Sequence, residues 1–401
     1  MPQATENATE LFAQILDPAN RANPYPLYAR LRETPVASLA DGFFAVSSYA
    51  DIAALLHDPG MSKDQRKTAL PLTGAQRIEP RPFLFLDPPE HDQLRRLVMR
   101  QFTPARVNAM HDRIVVLVDE LIDARRDQSQ LDVVDDFAYP LPVTVICELL
   151  GVPREDESRF HTWADTLAHS VDPDPGEETS LAAMQAAQAL ATYMRELIAA
   201  RRAEPRDDLL SGLAAGDDAE RMDDADLVIT MILLLIAGHE TTVNLITNGT
   251  LTLLRYPAEL ERLRDHPERI PIVVEEMLRY EPPVQFVTRF ALADIAIDGA
   301  TIPQGSGIRL MLAAGNHDPR RFRDPDHFDP DRPDNEHLGF GGGIHYCVGA
   351  PLARIETQVA LTTFARRFVN PRLVEDPPPY RPNAVLRGPR HLLVDFDGIG
   401  N

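Results

Sequence analysis

Cys347 stands inside the run Phe340-Gly-Gly-Gly-Ile-His-Tyr-Cys-Val-Gly-Ala350. A lone cysteine is usually a small buried hydrophobe, but this setting suits a ligand. Gly341, Gly342 and Gly343 let the backbone take conformations closed to other residues and approach a flat ligand closely, and Gly349 is expected to give the same freedom after the sulfur. Residues 350–356, with Pro351 tolerated in a first turn, read as the start of a helix. A sulfur near a helix N-terminus faces the positive end of the dipole and free N–H groups, so its thiolate is stabilised. The loop can therefore hold Cys347 as an anionic, electron-donating ligand. A second cluster is Ala237-Gly-His-Glu-Thr-Thr242, which follows the apolar run Ile232 to Ile236. Polar groups inside a buried helix are costly unless they are paired or used. Small residues such as Ala237 and Gly238 let a flat group lie against the backbone.

Other chemistries that these residue types could serve lack a necessary part. The glycines have no following Lys-Ser/Thr of a phosphate loop. His345 with Cys347 makes two ligands where a structural zinc site needs four. His239-Glu240 could open a zinc-protease motif, but Val243 occupies the second histidine position. Thr241 or Thr242 could bond back to a carbonyl one turn earlier. The other cysteine, Cys147, lies in an apolar helix-like run that ends at Gly151 and reads as a packing residue.

The pattern Phe340-x-x-Gly343-x-His345-x-Cys347-x-Gly349 closely resembles the haem-binding loop of the cytochrome P450 family. That resemblance implies that Cys347 is the axial ligand of the iron of haem b (iron protoporphyrin IX), a ligation that favours O–O cleavage. Residues 237–242 resemble the family's Ala/Gly-Gly-x-Asp/Glu-Thr motif, with Ala237 and Gly238 against the haem, Thr241 ordering water and Glu240 relaying protons. Splitting dioxygen needs two protons, and an apolar pocket supplies none without such side chains. Glu276-Met-Leu-Arg279 resembles the family's Glu-x-x-Arg motif, and Arg332 fits the arginine that completes that structural triad. Asp87-Pro-Pro-Glu-His91-Asp-Gln-Leu-Arg95 resembles its early haem-contacting helix. His91 and Arg95 share a helix face at i, i+4 and are implied as propionate partners, with Arg289 and His345 beside them. His317 stands where the family commonly has arginine, without bearing on a catalytic role.

The elements that must position these residues are mostly helical. Helical spacing runs through residues 25–32, 49–57, 90–101, 105–126, 140–151, 154–169, 178–203 and 224–256. The last, between the capping candidate Asp223 and Pro257, would be a rod about 50 Å long, with Ile232 to Ile236 buried on every side. Strand character is confined to residues 42–47, 289–297 and 307–312, while 61–86 reads as irregular. The expected fold class is mainly α with minor β in one domain, residues 1–401. The resemblance implies the P450 fold, with haem between the long central helix and the helix after the cysteine loop.

A formal charge of −21 argues against nucleic acid or an anionic membrane surface as the main partner. Two cysteines cannot make a disulfide framework and suit a reducing compartment. The polar N-terminus lacks the pattern of a signal peptide, and Leu227 to Gly238 is too short an apolar run to anchor in a bilayer. The expectation is a cytoplasmic, monomeric haem-thiolate monooxygenase that inserts one atom of O2 into a hydrophobic natural product: a macrolide or polyketide, terpenoid or steroid. Electrons would come from a ferredoxin and its reductase, docked at a local basic patch that includes Arg96, Arg100 and Arg354. Phe83, Leu233, Val284 and Phe286 are the substrate-contact candidates, with residues 61–86 and the turn near Val385-Leu386 around them. A hydrogen-peroxide-driven peroxygenase, which Glu240-Thr241 argues against, and a non-catalytic haem gas sensor are the alternatives.

Overall fold

Asp223 accepts a hydrogen bond from the Asp226 N–H and so caps the long helix, which runs from Asp224 to Arg255 before Tyr256-Pro257 ends it. In the computed structural model, which describes residues 7–71, 79–169, 176–215 and 222–400, this is one helix in a mainly helical chain. In chain order the helices are α1 (Ala8–Leu16), α2 (Tyr25–Leu31), α3 (Tyr49–His57), α4 (Glu90–Met99), α5 (Pro104–Asp123), α6 (Pro140–Leu150), α7 (Glu157–His169), α8 (Glu177–Ala203), α9 (Leu209–Ala214), α10 (Asp224–Arg255), α11 (Pro257–Asp265), α12 (Ile270–Tyr280), α13 (Leu312–Asn316) and α14 (Ala350–Arg367). The strands are β1 (Val36–Ser38), β2 (Phe43–Val46), β3 (Met61–Ser62), β4 (Gln130–Asp132), β5 (Val287–Ala291), β6 (Ile295–Ile297), β7 (Ala300–Ile302), β8 (Gly307–Leu310), β9 (Phe368–Val369), β10 (Arg372–Leu373), β11 (Leu393–Asp395) and β12 (Gly398–Ile399).

These elements form two compact units, each assembled from separated stretches of chain. The first holds the described parts of Met1–Leu72, Pro271–Cys347 and Asp376–Arg390. Its sheet has the order β1-β2-β8-β5-β3, antiparallel except for the parallel pair β2–β8, in which Phe43 faces Gly307 and Val46 faces Leu310. A Cβ at Gly307 would overlap the Phe43 ring, so the close pairing requires glycine there. Alternation along the strands splits the unit's apolar residues into two layers. Ala37, Ala45 and Phe286 pack with Leu11, Ile15 and Tyr28 of α1 and α2, whereas Val46, Ile308 and Leu310 pack with Ile52, Leu55 and Leu56 of α3.

The second unit holds Thr73–Ile270, Val348–Glu375 and His391–Asn401 in their described parts. Helix α10 is its axis, packed by α6, α7, α8 and α14. Its composition would allow a membrane span, but 72% of its most apolar window is buried inside the protein. A sheet β10-β11-β4 and the pair β12-β9 complete the unit. Cys147 of α6 is fully buried here, as its packing role predicts.

Several local expectations change. The strand expected over 289–297 is two strands, β5 and β6, separated by residues 292–294. The segment 61–86 is not uniformly irregular where described: it contains β3 and single 3-10 turns at Gln65–Lys67 and Phe83–Phe85. Its residues 72–78 lie outside the described part. Helix α1 was not foreseen; Asn7 caps it and Leu11 and Ile15 bury its inner side.

Candidate active site

In the first unit, the Cys347 loop is held by its own backbone. The Cys347 N–H donates to the Phe340 carbonyl at 3.1 Å, and the Phe340 ring lies 6.2 Å from that of Tyr346. Gly341 and Gly343 take φ of +69° and +63°, the left-handed region that glycine adopts without strain. A Cβ on Gly343 would also overlap the Leu56 carbonyl, and the Gly343 N–H donates to His57 Nε2 at 3.2 Å. The loop is therefore seated on the end of α3, an anchor that sequence reading missed because His57 lies 286 residues away. Gly349 departs from expectation: its φ is −81°, open to any residue, and its place is the N-cap of α14. Cys347 is exposed, Phe340 and His345 are partly buried, and α14 begins three residues after the sulfur.

The scaffold under the loop is a buried ion-pair network. Arg279 and Glu276, both 0% exposed, share two hydrogen bonds of 2.8 and 2.7 Å at i, i+3 on α12. The remaining Arg279 donors reach the carbonyls of Asn316, Pro325 and His327 at 2.9, 2.7 and 3.1 Å. Glu276 also accepts from the Asp329 N–H and from Asn335 Nδ2. Arg332 joins through a looser 3.6 Å contact to Glu276 and donates to the carbonyls of Arg323, Asp324 and His327. One acid and two arginines thus tie α12 to the irregular chain ahead of the cysteine loop.

Arg289 of β5 is 4% exposed and lies on the strand face opposite Phe286. Phe286 is 2% exposed and meets Phe12 edge-on at 5.9 Å; it is core, which corrects its assignment to substrate contact. Val284 is partly exposed and bridges to Leu386, the turn expected beside the pocket.

In the second unit, α10 is buried along most of its length, but Leu233, Ile236, Ala237, Gly238 and Thr241 keep accessible surface. Their spacing of three and four places them on one helix face. The expectation that Ile232 to Ile236 is enclosed on every side is therefore corrected at Leu233 and Ile236. Thr241 Oγ1 donates to the Ala237 carbonyl at 2.8 Å, and Thr242 bonds back to Gly238 at 3.2 Å. The Thr241 hydrogen is engaged, and its oxygen keeps acceptor capacity on the open face. Glu240 is 4% exposed and takes a 3.3 Å hydrogen bond from Asn244 Nδ2, a partner that the i, i+4 spacing could have revealed. His91 of α4 is fully buried, with Nδ1 2.9 Å from Asp92 and its ring 6.3 Å from that of Phe83. Arg95 is partly exposed on the same helix, and Phe83 is buried.

The predicted residues thus divide between the units: Arg289, Val284, Phe340, Gly343, His345 and Cys347 in the first, and Phe83, His91, Arg95, Leu233, Glu240 and Thr241 in the second. The donor chemistry fits a haem. An accessible thiol sits in a loop shaped by obligatory glycine, buried basic groups suit two carboxylates, and an apolar helix face ends in an acid and an alcohol.

The family model described as Cytochrome P450 matches residues 36–396. The chain belongs to the cytochrome P450 family. This P450 is 40% identical to the cytochrome P450 monooxygenase PikC of Streptomyces venezuelae over 93% of its own length and 91% of that protein's. It is 38% identical to the 6-deoxyerythronolide B hydroxylase of Saccharopolyspora erythraea, covering 93% and 96% of the two chains. Among solved structures it resembles ligand-free CYP164A2 of Mycobacterium smegmatis, with a TM-score of 0.89 at 42% identity over 96% of this chain and all of that one. The mainly helical fold expected from the sequence is borne out, as is its P450 class. This P450 is a monooxygenase of the haem-thiolate type, with bacterial secondary-metabolism enzymes among its relatives.

Proposed function

We propose that this P450 inserts one oxygen atom into a hydrophobic natural product, of macrolide or polyketide, terpenoid or steroid type, with electrons delivered by a ferredoxin and its reductase. The observation that carries this reading is the open stripe of α10, Leu233, Ile236, Ala237, Gly238 and Thr241, in a helix buried at every other position from Leu227 to Leu253. An apolar surface leading to an acid and an alcohol suits a greasy substrate and a reaction that consumes protons. The relatives named 6-deoxyerythronolide B hydroxylase and vitamin D(3) 25-hydroxylase, 38% and 41% identical, support a hydrophobic substrate.

Cys347 would hold the iron of haem b, with His91, Arg95, Arg289 and His345 as partners of the propionates. The haem, once bound, supplies the centre at which dioxygen is reduced and split. Glu240, oriented by Asn244, holds and passes a proton; the Thr241 oxygen accepts a hydrogen bond and keeps a water in line. Leu233 and Ile236 exclude bulk water from that face. Arg96 and Arg100 are exposed and Arg354 is partly exposed, and these cations on an acidic protein would meet an acidic ferredoxin. The enzyme acts as a cytoplasmic monomer, with residues 1–401 working as one functional domain.

A screen of apolar natural products against the haem-loaded enzyme tests this directly. Macrolactones, terpenes and sterols should include compounds that produce a high-spin shift and then a hydroxylated product with ferredoxin and reductase present. Shifts produced only by small polar compounds, or product formed only with hydrogen peroxide, would contradict the reading.

A further inference from the structure

His57 is the last residue of α3, and its exposed ring is engaged at both nitrogens. Nδ1 lies 2.9 Å from the Ala53 carbonyl one turn back, and Nε2 lies 3.2 Å from the Gly343 amide nitrogen. A carbonyl can only accept and an amide N–H can only donate, so the two partners select one form of the ring: hydrogen on Nδ1, a lone pair on Nε2 and no charge. The ring lies close over Gly342, where a Cβ would meet His57 Cε1 at 3.0 Å.

Two further hydrogen bonds carry this hold to the sulfur residue. Gly343 opens the 3-10 turn Gly343–His345, and its carbonyl accepts from the Tyr346 N–H at 3.1 Å; next in the chain, the Cys347 N–H returns to the Phe340 carbonyl at 3.1 Å. Gly343 stands at φ +63°, and glycine is free to leave that conformation for many others. The imidazole thus restrains the most mobile kind of residue at the point where the turn begins. Charged groups on the elements packed with α3 are engaged elsewhere. Arg289 of β5 donates to the Thr288 carbonyl, Arg309 of β8 donates to Thr288 Oγ1, Asp58 accepts from the Gly60 N–H, and Asp51 accepts from Ser48 Oγ. Among the described residues His57 has no ion-pair partner, and His345 of the turn is the other imidazole beside it.

We propose that His57 is a positioning residue of the thiolate loop: as a neutral acceptor it fixes the turn that presents Cys347, and protonation of its ring releases that turn. A protonated ring would set Nε2–H against the Gly343 N–H, donor against donor. Histidine is the side chain whose charge changes between pH 5 and 8, and an exposed ring takes its proton directly from water. The hold is therefore present above that range and lost as pH falls through it. The effect on iron ligation rests on the haem-thiolate reading; the effect on the loop does not.

The test uses the full chain, haem-free and haem-loaded, as wild type, as His57→Phe, which keeps a ring without an acceptor, and as His57→Gln, which keeps an uncharged acceptor at similar reach. In the haem-free chain at pH 8, hydrogen exchange at the Gly343 amide should be roughly fivefold faster in His57→Phe, the loss expected of one hydrogen bond, and near wild type in His57→Gln. At pH 5.5, after correction for intrinsic exchange, wild type should match His57→Phe while His57→Gln stays protected. Haem-loaded wild type must show the thiolate-type carbon monoxide spectrum at pH 8; without it the haem-thiolate reading fails, and the exchange rates alone judge the loop contact. Given that spectrum, His57→Gln should keep the thiolate-type band to lower pH than wild type, and His57→Phe should carry a reduced share of it already at pH 8. Exchange and spectra of His57→Phe that match wild type overturn the proposal. So does a His57→Gln protein that loses protection and band at the same pH as wild type, because the acid step then belongs to His345 or the sulfur. Should His57→Phe fail to fold, His57→Leu is measured in the same way and read by the same outcomes.

Discussion

Replacing Arg279 by Met removes five hydrogen bonds from a fully buried site: two to Glu276 and three to the carbonyls of Asn316, Pro325 and His327. Glu276 is left as a fully buried carboxylate, with the Asp329 N–H, Asn335 and a 3.6 Å contact to Arg332 around it. Breaking one side of such a pair costs about 3–5 kcal/mol, against a total stability of about 5–15 kcal/mol for a typical domain. Arg332→Met should cost less, about 1–2 kcal/mol, because its link to Glu276 is longer than a hydrogen bond. Arg323, whose side chain is 94% exposed, is the surface control, with an expected effect within about 0.5 kcal/mol. Because the penalty lies in the orphaned charge, Glu276→Met with Arg279→Met should be less destabilising than the two singles summed, by about 1–3 kcal/mol. Urea unfolding of each variant, followed by circular dichroism with the slope checked for constancy, reads these values. If Arg279→Met costs no more than Arg323→Met, or the double variant is additive, the network is not the scaffold described.

Thr241→Ala and Glu240→Gln should each lower product formation by roughly 10²- to 10⁴-fold while electron consumption continues, and Thr241→Ser should retain most product; product per electron measures this. Gly343→Ala, at φ +63° and against the Leu56 carbonyl, should cost about 1–3 kcal/mol and lower haem incorporation, whereas Gly349→Ala, at φ −81°, should load as wild type. In the haem-free chain, alkylation at pH 8 should label Cys347 and spare Cys147, whose thiol is pushed up to about 12 by burial and secondarily by Glu157 and Glu148; intact-mass analysis should count one modified thiol. Since thiolate is the reactive form, Cys147 should become reactive only as pH approaches 12 or the chain unfolds.

Local chemistry was legible in the sequence where the signal is local. The cysteine loop, the capped α10 and the Glu276–Arg279 pair are defined by residues within one turn or loop, and the structure has them at those positions. The five-stranded sheet was not legible, because β2 pairs with β8 across more than 250 residues and periodicity carries no information on such distant pairing. The same gap hid His57 as an anchor of Gly343. Phe286 was misread because a short apolar run does not say which of its side chains line a cavity and which pack in the core. The apolar run before Ala237 was misread for a related reason: composition around a helix cannot distinguish a face against protein from a face against a ligand.

The central claim is that Cys347 is the thiolate ligand of a haem. The carbon monoxide complex of the reduced, haem-loaded protein should show the red-shifted band that gives the family its name, and Cys347→Ser should abolish that band. A Cys347→Ser protein that keeps the band would contradict the account.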